Sequence, residues 1–232
     1  MYKNGNISSK FIGINHYRRY FNFTDKIPNI EELFDNYDII LSEPVNLNLT
    51  MIQQYCQNHI CEAYNEILNI IKEIKPEYYK TALKSSEEKT IYSCNLFIMK
   101  KKDFFKFCEF IFDVLFEFDR RKNFTSDEDV LNYTKSIFKN SSDYYYQSRL
   151  EAFLSERMSN IFFRHHFKRI KTFSVGNYNT SKYSLFKPNI IFRKKINLEK
   201  FTYFIQYNKK KFILLLMIIF ISYFNCFFLN VY

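Results

Sequence analysis

The chain has 232 residues, enough for one domain with a sizeable core, and 20% of them are aromatic (28 Phe, 19 Tyr, no Trp). Its three glycines, Gly5, Gly13 and Gly176, exclude a glycine-rich phosphate loop and a Rossmann dinucleotide fingerprint. The net charge of +10 is concentrated, with twelve Lys or Arg against the single acid Glu199 over residues 168–211, a pattern that fits a membrane surface better than nucleic acid.

Taken in chain order, residues 10–15 read as a strand that breaks into Asn15-His16-Tyr17-Arg18-Arg19. An acidic short helix over 29–35 is opened by Pro28-Asn29, and YDIIL at 37–41 is a second strand. Thr50 caps a helix that is expected to run on through residues 62–74 until Pro76, which opens the next one. Residues 90–99 read as a third strand, and 103–119 as a helix rich enough in Phe, Ile and Leu to be central to the core. Ser126 caps the following helix, another spans 148–165, and 168–175 alternates as a last strand. Strands separated by helices give an α/β class.

The five cysteines (56, 61, 94, 108 and 226) form no C-x-x-C pair and are expected to be reduced and cytosolic, with no zinc site. From Phe212 the chain is uncharged to residue 229 and is preceded by Lys209-Lys210-Lys211. Eighteen residues rising about 1.5 Å each just cross a bilayer core. The expected organisation is an α/β domain at 1–176, a basic connector at 177–211 and a transmembrane helix at 212–229, with the body on the cytoplasmic face. A buried terminal helix is the alternative for the tail.

Several residues can carry chemistry. A strand end is where ligands sit in open α/β sheets, and the fork of Arg18 or Arg19 suits a diphosphate, with His16 able to donate a hydrogen bond or move a proton. The bland alternative pairs the arginines with Glu31 or Asp38. Asp127-Glu128-Asp129 spells D-x-D, but it follows Ser126 and opens a helix, so it reads as capping. No residue is assigned to metal, although dependence on a divalent ion is left open. His165-His166 read as the basic end of a helix.

Six stretches, in order, resemble a bacterial glycosyltransferase-like family associated with capsular polysaccharide synthesis, the domain of unknown function 4422. They are HYRRYF at 16–21, YDIIL at 37–41, QYCQNH at 54–59, CNLFIMKKKDF at 94–104, FCEFIFDVLFE at 107–117 and SRLEAFLSERM at 148–158. Leu96, Phe110 and Ala152 depart from the family's usual Met, Trp and Gly. The resemblance implies a GT-A-like mixed sheet and transfer of a sugar from a nucleotide-sugar donor to a surface glycan of capsular or lipopolysaccharide type, on a lipid-linked acceptor. It also implies that the N-terminal portion preceding HYRR in relatives is missing, so an inactive, membrane-anchored interaction module is the alternative.

In that frame His16, Arg18 and Arg19 face the donor diphosphate, Asn95 the sugar, and Arg149 a phosphate unless it pairs with Glu151. Glu156 is the candidate base, or else a surface partner of Arg157. Tyr55 and His59, on one helical face, are candidate acceptor contacts or site wall, and Tyr144-Tyr145-Tyr146 can line a sugar cleft.

Overall fold

The computed structural model describes residues 8–16, 18–23, 27–138 and 143–177. The chain order is β1 (Phe11–Ile14), β2 (Arg19–Phe21), α1 (Ile30–Asn36), β3 (Ile39–Ser42), β4 (Val45–Asn46), α2 (Met51–Asn58), α3 (Cys61–Ile74) and α4 (Pro76–Glu87). It continues with β5 (Thr90–Ile91), β6 (Phe97–Lys100), α5 (Lys101–Lys122), α6 (Asp127–Ile137), α7 (Tyr144–Gln147), α8 (Leu150–His166), β7 (Ile170–Phe173) and β8 (Val175–Asn177). Two compact units divide these residues. One holds 8–15 and the described part of 21–176; the other holds His16, 18–20 and Asn177.

The first unit is mixed α/β, as the alternation of strands and helices predicts. Its main sheet runs β1-β6-β3-β7, with β1, β6 and β3 antiparallel in turn and β7 parallel to β3. All four residues of β3 are buried, as befits a strand covered on both faces. The register sets Ile39 against Met99 and Leu41 against Phe97 on one face, and Ile40 against Ile98 on the other. On the first face Phe97 meets Phe107 of α5 at 5.0 Å and Phe163 of α8 at 5.6 Å between ring centroids. On the second, Phe21, Phe34, Ile40 and Leu96 form a smaller cluster flanked by Phe11 and Phe173.

The caps explain several boundaries. Asn29 accepts from the N–H groups of Glu31 and Glu32 at the start of α1. Thr50 and Gln53 cap each other reciprocally at α2, and Pro76 is the first residue of α4. Ser126 and Asp129 do the same at α6, where the Asp129 carboxylate accepts from the N–H groups of Thr125 and Ser126. The D-x-D triplet is therefore used to start a helix.

Several expectations are corrected. The helix after Thr50 is two helices: His59 is extended (φ −141°, ψ −176°), and Cys56 and Cys61 are joined across the break by a disulfide. The set of cysteines is thus not wholly reduced. Of the others described, Cys108 is buried, which pushes its thiol up to about 12, and Cys94 is partly exposed. The strand expected over 90–99 is interrupted by a turn at Cys94–Asn95, both residues being left-handed (φ 69° and 49°).

His165 and His166 do close α8 beside Arg164, as expected, but as hydrogen-bonded groups of lowered charge. His166 Nε2 lies 2.6 Å from the Tyr78 hydroxyl and His165 Nδ1 lies 3.2 Å from Thr81 Oγ1. Burial holds both below the usual histidine range, His166 at about 4 with His165 and Lys106 adding to the effect. They are neutral packing groups. Finally, no helix among the described residues is long and apolar enough to cross a membrane. The expected C-terminal hydrophobic helix, single span and location at the cytoplasmic face are corrected accordingly. Residues 178–232, with the connector and the 212–229 stretch, lie outside the described residues.

Candidate functional site

Helix α8 organises the site in the first unit. Its residues Glu156, Asn160 and Arg164 are spaced four apart and so share one face. Asn160 Oδ1 accepts from the Tyr92 N–H (2.8 Å), and Asn160 Nδ2 donates to the Tyr92 carbonyl (3.0 Å). One turn earlier, Glu156 accepts from the Cys94 N–H at 2.6 Å. One turn later, Arg164 donates to the Thr90 carbonyl at 2.5 Å. Beyond β5, whose Thr90 and Ile91 pair with β4, this row of side chains takes up the backbone of Tyr92 and Cys94 and holds the Cys94–Asn95 turn in a conformation that non-glycine residues rarely adopt. Asn95 Oδ1 is buried there with no hydrogen-bond partner among the described residues.

Glu156 is fully engaged. Its second carboxylate oxygen takes a hydrogen bond from Arg157 Nη1 at 3.0 Å, and Arg157 Nη2 reaches Gln54 of α2 at 2.5 Å. The Arg157 guanidinium also lies over the Tyr55 ring, 5.8 Å from its centroid. Tyr55 is fully buried, with its hydroxyl unpartnered among the described residues and its ionisation pushed up by burial. It backs the site and does not face it.

His59 follows Tyr55 by one turn. Its ring stacks on Phe153 of α8 at 4.0 Å and lies 6.2 Å from Tyr146 of α7. Its Nδ1 is 3.1 Å from Gln147 Oε1, while Gln147 Nε2 donates to the Asn58 carbonyl at 2.9 Å. Arg149 lies over both Tyr146 (5.8 Å) and Phe153 (5.4 Å), with its Nε buried and unpartnered among the described residues. Tyr145 and Tyr146 are 63% and 51% exposed, so this bay of rings opens to solvent. Burial lowers the His59 pKa, and Arg157 and Arg149 add to that, against the hydrogen bond from Gln147 and the Glu156 charge.

Tyr55, His59, Asn95, Arg149 and Glu156 are thus linked by contiguous contacts in one unit. His16, Arg18 and Arg19 belong to the other and are described by themselves. There the Arg19 N–H donates to the His16 carbonyl and the Arg18 N–H to His16 Nδ1, both at 3.3 Å. His16 is thus bridged to Arg19, the first residue of β2, its ring accepts from the Arg18 N–H, and Arg18 and Arg19 are both exposed. Of the acids considered as arginine partners, Glu31 pairs with Lys10 at 3.0 Å and Asp38 with Arg169 at 2.7 Å. No cluster of three or more His, Cys, Asp or Glu side chains fit to hold a metal ion occurs among the described residues.

Sequence reasoning missed Asn160 and Gln147; the alternative pairing of Glu156 with Arg157 is present at 3.0 Å, with Arg157 buried instead of on the surface. A signal for Asn160 was present, since Glu156, Asn160 and Arg164 stand at intervals of four on a helix whose remaining face is largely apolar. Gln147 offered none, because its partners Asn58 and His59 lie almost ninety residues away.

Comparison with known proteins agrees with this architecture. No curated protein matches the sequence. Among solved structures, the fold is similar to the apo form of the WbbM bifunctional glycosyltransferase, with a TM-score of 0.58 and 18% identity. That similarity covers 77% of this chain and 35% of the other, so the chain spans about a third of that protein's length. The profile of the family described as domain of unknown function 4422 matches residues 1–168, and with most of its 232 residues inside that match the chain belongs to this family.

Proposed function

We propose that residues 1–176 form a GT-A-like glycosyltransferase domain that transfers a sugar from a nucleotide-sugar donor to a surface glycan of capsular or lipopolysaccharide type. The observation that carries this reading is a pair of buried, unsatisfied polar atoms, Asn95 Oδ1 and Arg149 Nε, in the contact network that ends in the exposed rings of Tyr145 and Tyr146. A buried polar atom left unpaired costs about 1–3 kcal/mol, and a bound ligand is one way to supply the partner. Sugar hydroxyls and phosphate oxygens are such partners, and tyrosine faces pack against pyranose rings. The fold similarity and the family's motifs are consistent with it.

In this reading Arg18 and Arg19, presented on a turn that His16 stabilises, bind the donor diphosphate. Asn95 contacts the transferred sugar. Glu156 acts by holding the Cys94 N–H, and so positions Asn95, in preference to the role of base expected from its family signature. The test is nucleotide release by the full-length chain from a panel of UDP-, GDP- and CMP-sugars, with p-nitrophenyl hexosides as acceptors. Acceptor-dependent release with one nucleotide class supports the proposal. A folded chain that releases nucleotide from none of them supports the inactive interaction module instead.

A further inference from the structure

We propose that His59 is the group that takes the proton from the acceptor hydroxyl, with Gln147 as the positioning residue that fixes its tautomer. The inference rests on the glycosyl-transfer reading above and assigns the base within it.

The argument begins with Gln147. Its Nε2 donates to the Asn58 carbonyl, and the reverse orientation of the amide would set two oxygens against each other. The amide oxygen therefore faces His59 Nδ1, which must carry the ring proton to make the 3.1 Å contact. Neutral His59 consequently has its lone pair on Nε2. The ring plane is held by Phe153 stacked at 4.0 Å and by Tyr55 at 5.0 Å. The residue is only partly buried, beside the exposed Tyr146 ring and the Arg149 guanidinium. An imidazole with a fixed tautomer, an oriented plane and access to solvent is the arrangement that proton acceptance requires.

The surrounding charges favour the same state. Burial and the cations Arg149, at the start of α8, and Arg157 of α8 oppose protonation of His59, while Glu156 of the same helix and the bond to Gln147 of α7 favour it. The balance keeps His59 neutral and ready to accept. Glu156 accepts from the Cys94 N–H on one oxygen and from Arg157 Nη1 on the other, so it serves as the anchor of the Cys94–Asn95 turn. In the step itself, the acceptor O–H proton passes to His59 Nε2 as that oxygen bonds to the anomeric carbon. The bond from that carbon to the diphosphate oxygen breaks, and the nucleoside diphosphate leaves with the electron pair. The imidazolium then returns its proton to water.

The experiment uses the full-length chain and two readouts. Imidazole 15N shifts report the tautomer directly, and pH profiles of nucleoside diphosphate release are taken with UDP- and GDP-hexoses and p-nitrophenyl hexosides. The proposal expects the Nδ1–H tautomer at neutral pH. It expects His59→Asn to lower turnover by about 100-fold or more while the thermal shift caused by donor is retained. Gln147→Glu places a carboxylate on Nδ1–H and should move the acid limb of the profile up by about 1–3 pH units, which a merely structural role would not do. An Nε2–H tautomer overturns the proposal whatever the activity. His59→Asn with full turnover and an unmoved acid limb overturns it while leaving glycosyl transfer in place. A wild-type chain that turns over none of the donors overturns both.

Discussion

Two residues show most directly how local chemistry is spent on the site. Asn95 sits at φ 49° next to Cys94 at φ 69°, without a glycine to relieve either. Asparagine tolerates this region better than most residues, and β-branched residues tolerate it least. Asn95→Gly should therefore be neutral or stabilising by up to about 1 kcal/mol, and Asn95→Val destabilising by about 1–2 kcal/mol, in urea unfolding. If the turn relaxes freely, the two variants will have the same midpoint. Asn160 makes a more costly contribution, because it is fully buried and completes both backbone groups of Tyr92. Asn160→Ala leaves those groups unpaired and should cost about 3 kcal/mol; a loss below half that would show that water replaces the amide.

At the scale of elements, the break between α2 and α3 is held in place by the Cys56–Cys61 bridge. The bridge encloses Gln57, Asn58, His59 and Ile60, two of which hold Gln147. Chain-entropy reasoning for so short a loop gives about 2 kcal/mol, so the Cys56→Ser, Cys61→Ser double variant should unfold at correspondingly lower urea. The imidazole 15N signal of His59 should broaden or shift in the same variant, and an unmoved signal would show that helix packing alone fixes the ring.

The elements also divide into those that could be read from sequence and those that could not. Asn29, Thr50, Pro76 and Ser126 announce helix starts because capping is chemistry within a few residues. The break at His59–Ile60 carries no glycine or proline, and its weak helix formers Asn58, His59 and Cys61 do not by themselves stop a helix. It is imposed by packing against α7 and α8. The Cys94–Asn95 turn was hidden for the same reason, since its conformation is enforced by Glu156 and Asn160 some sixty residues away. At the site, the motif residues were legible through the family resemblance. Their partners were not, because each partnership spans distant elements.

At the scale of the whole molecule, titration couples stability to pH in opposing directions. Arg120 and Arg121 hold Glu117 at about 2, and Arg169 holds Asp38 below its usual value. Their stabilisation is fully present above the ordinary carboxylate range and is lost as pH falls towards those lowered values. His166, held at about 4 by burial, acts in the same sense, since its contribution is present above the ordinary histidine value and lost as pH falls through about 4. Burial raises Asp119 to about 6 and Glu151 to about 7, with Asp119 and Asp127 adding to the latter. These two favour the folded chain below their usual values and lose that contribution as pH rises through about 6 and 7. Glu151→Gln should accordingly become more stable relative to wild type as pH rises from about 4.5 to 7, read as the difference in Tm. A difference that does not change with pH would contradict the raised value.

The central claim is that this chain holds a nucleotide-sugar donor site, and donor-induced thermal stabilisation of the full-length protein tests it most directly. UDP-, GDP- and CMP-sugars would be compared on wild type, Arg18→Ala and Asn95→Ala. The account predicts a Tm increase with one nucleotide class, lost in Arg18→Ala and reduced in Asn95→Ala. A folded wild-type chain whose Tm moves with none of the donors, or moves equally in all three proteins, would contradict it.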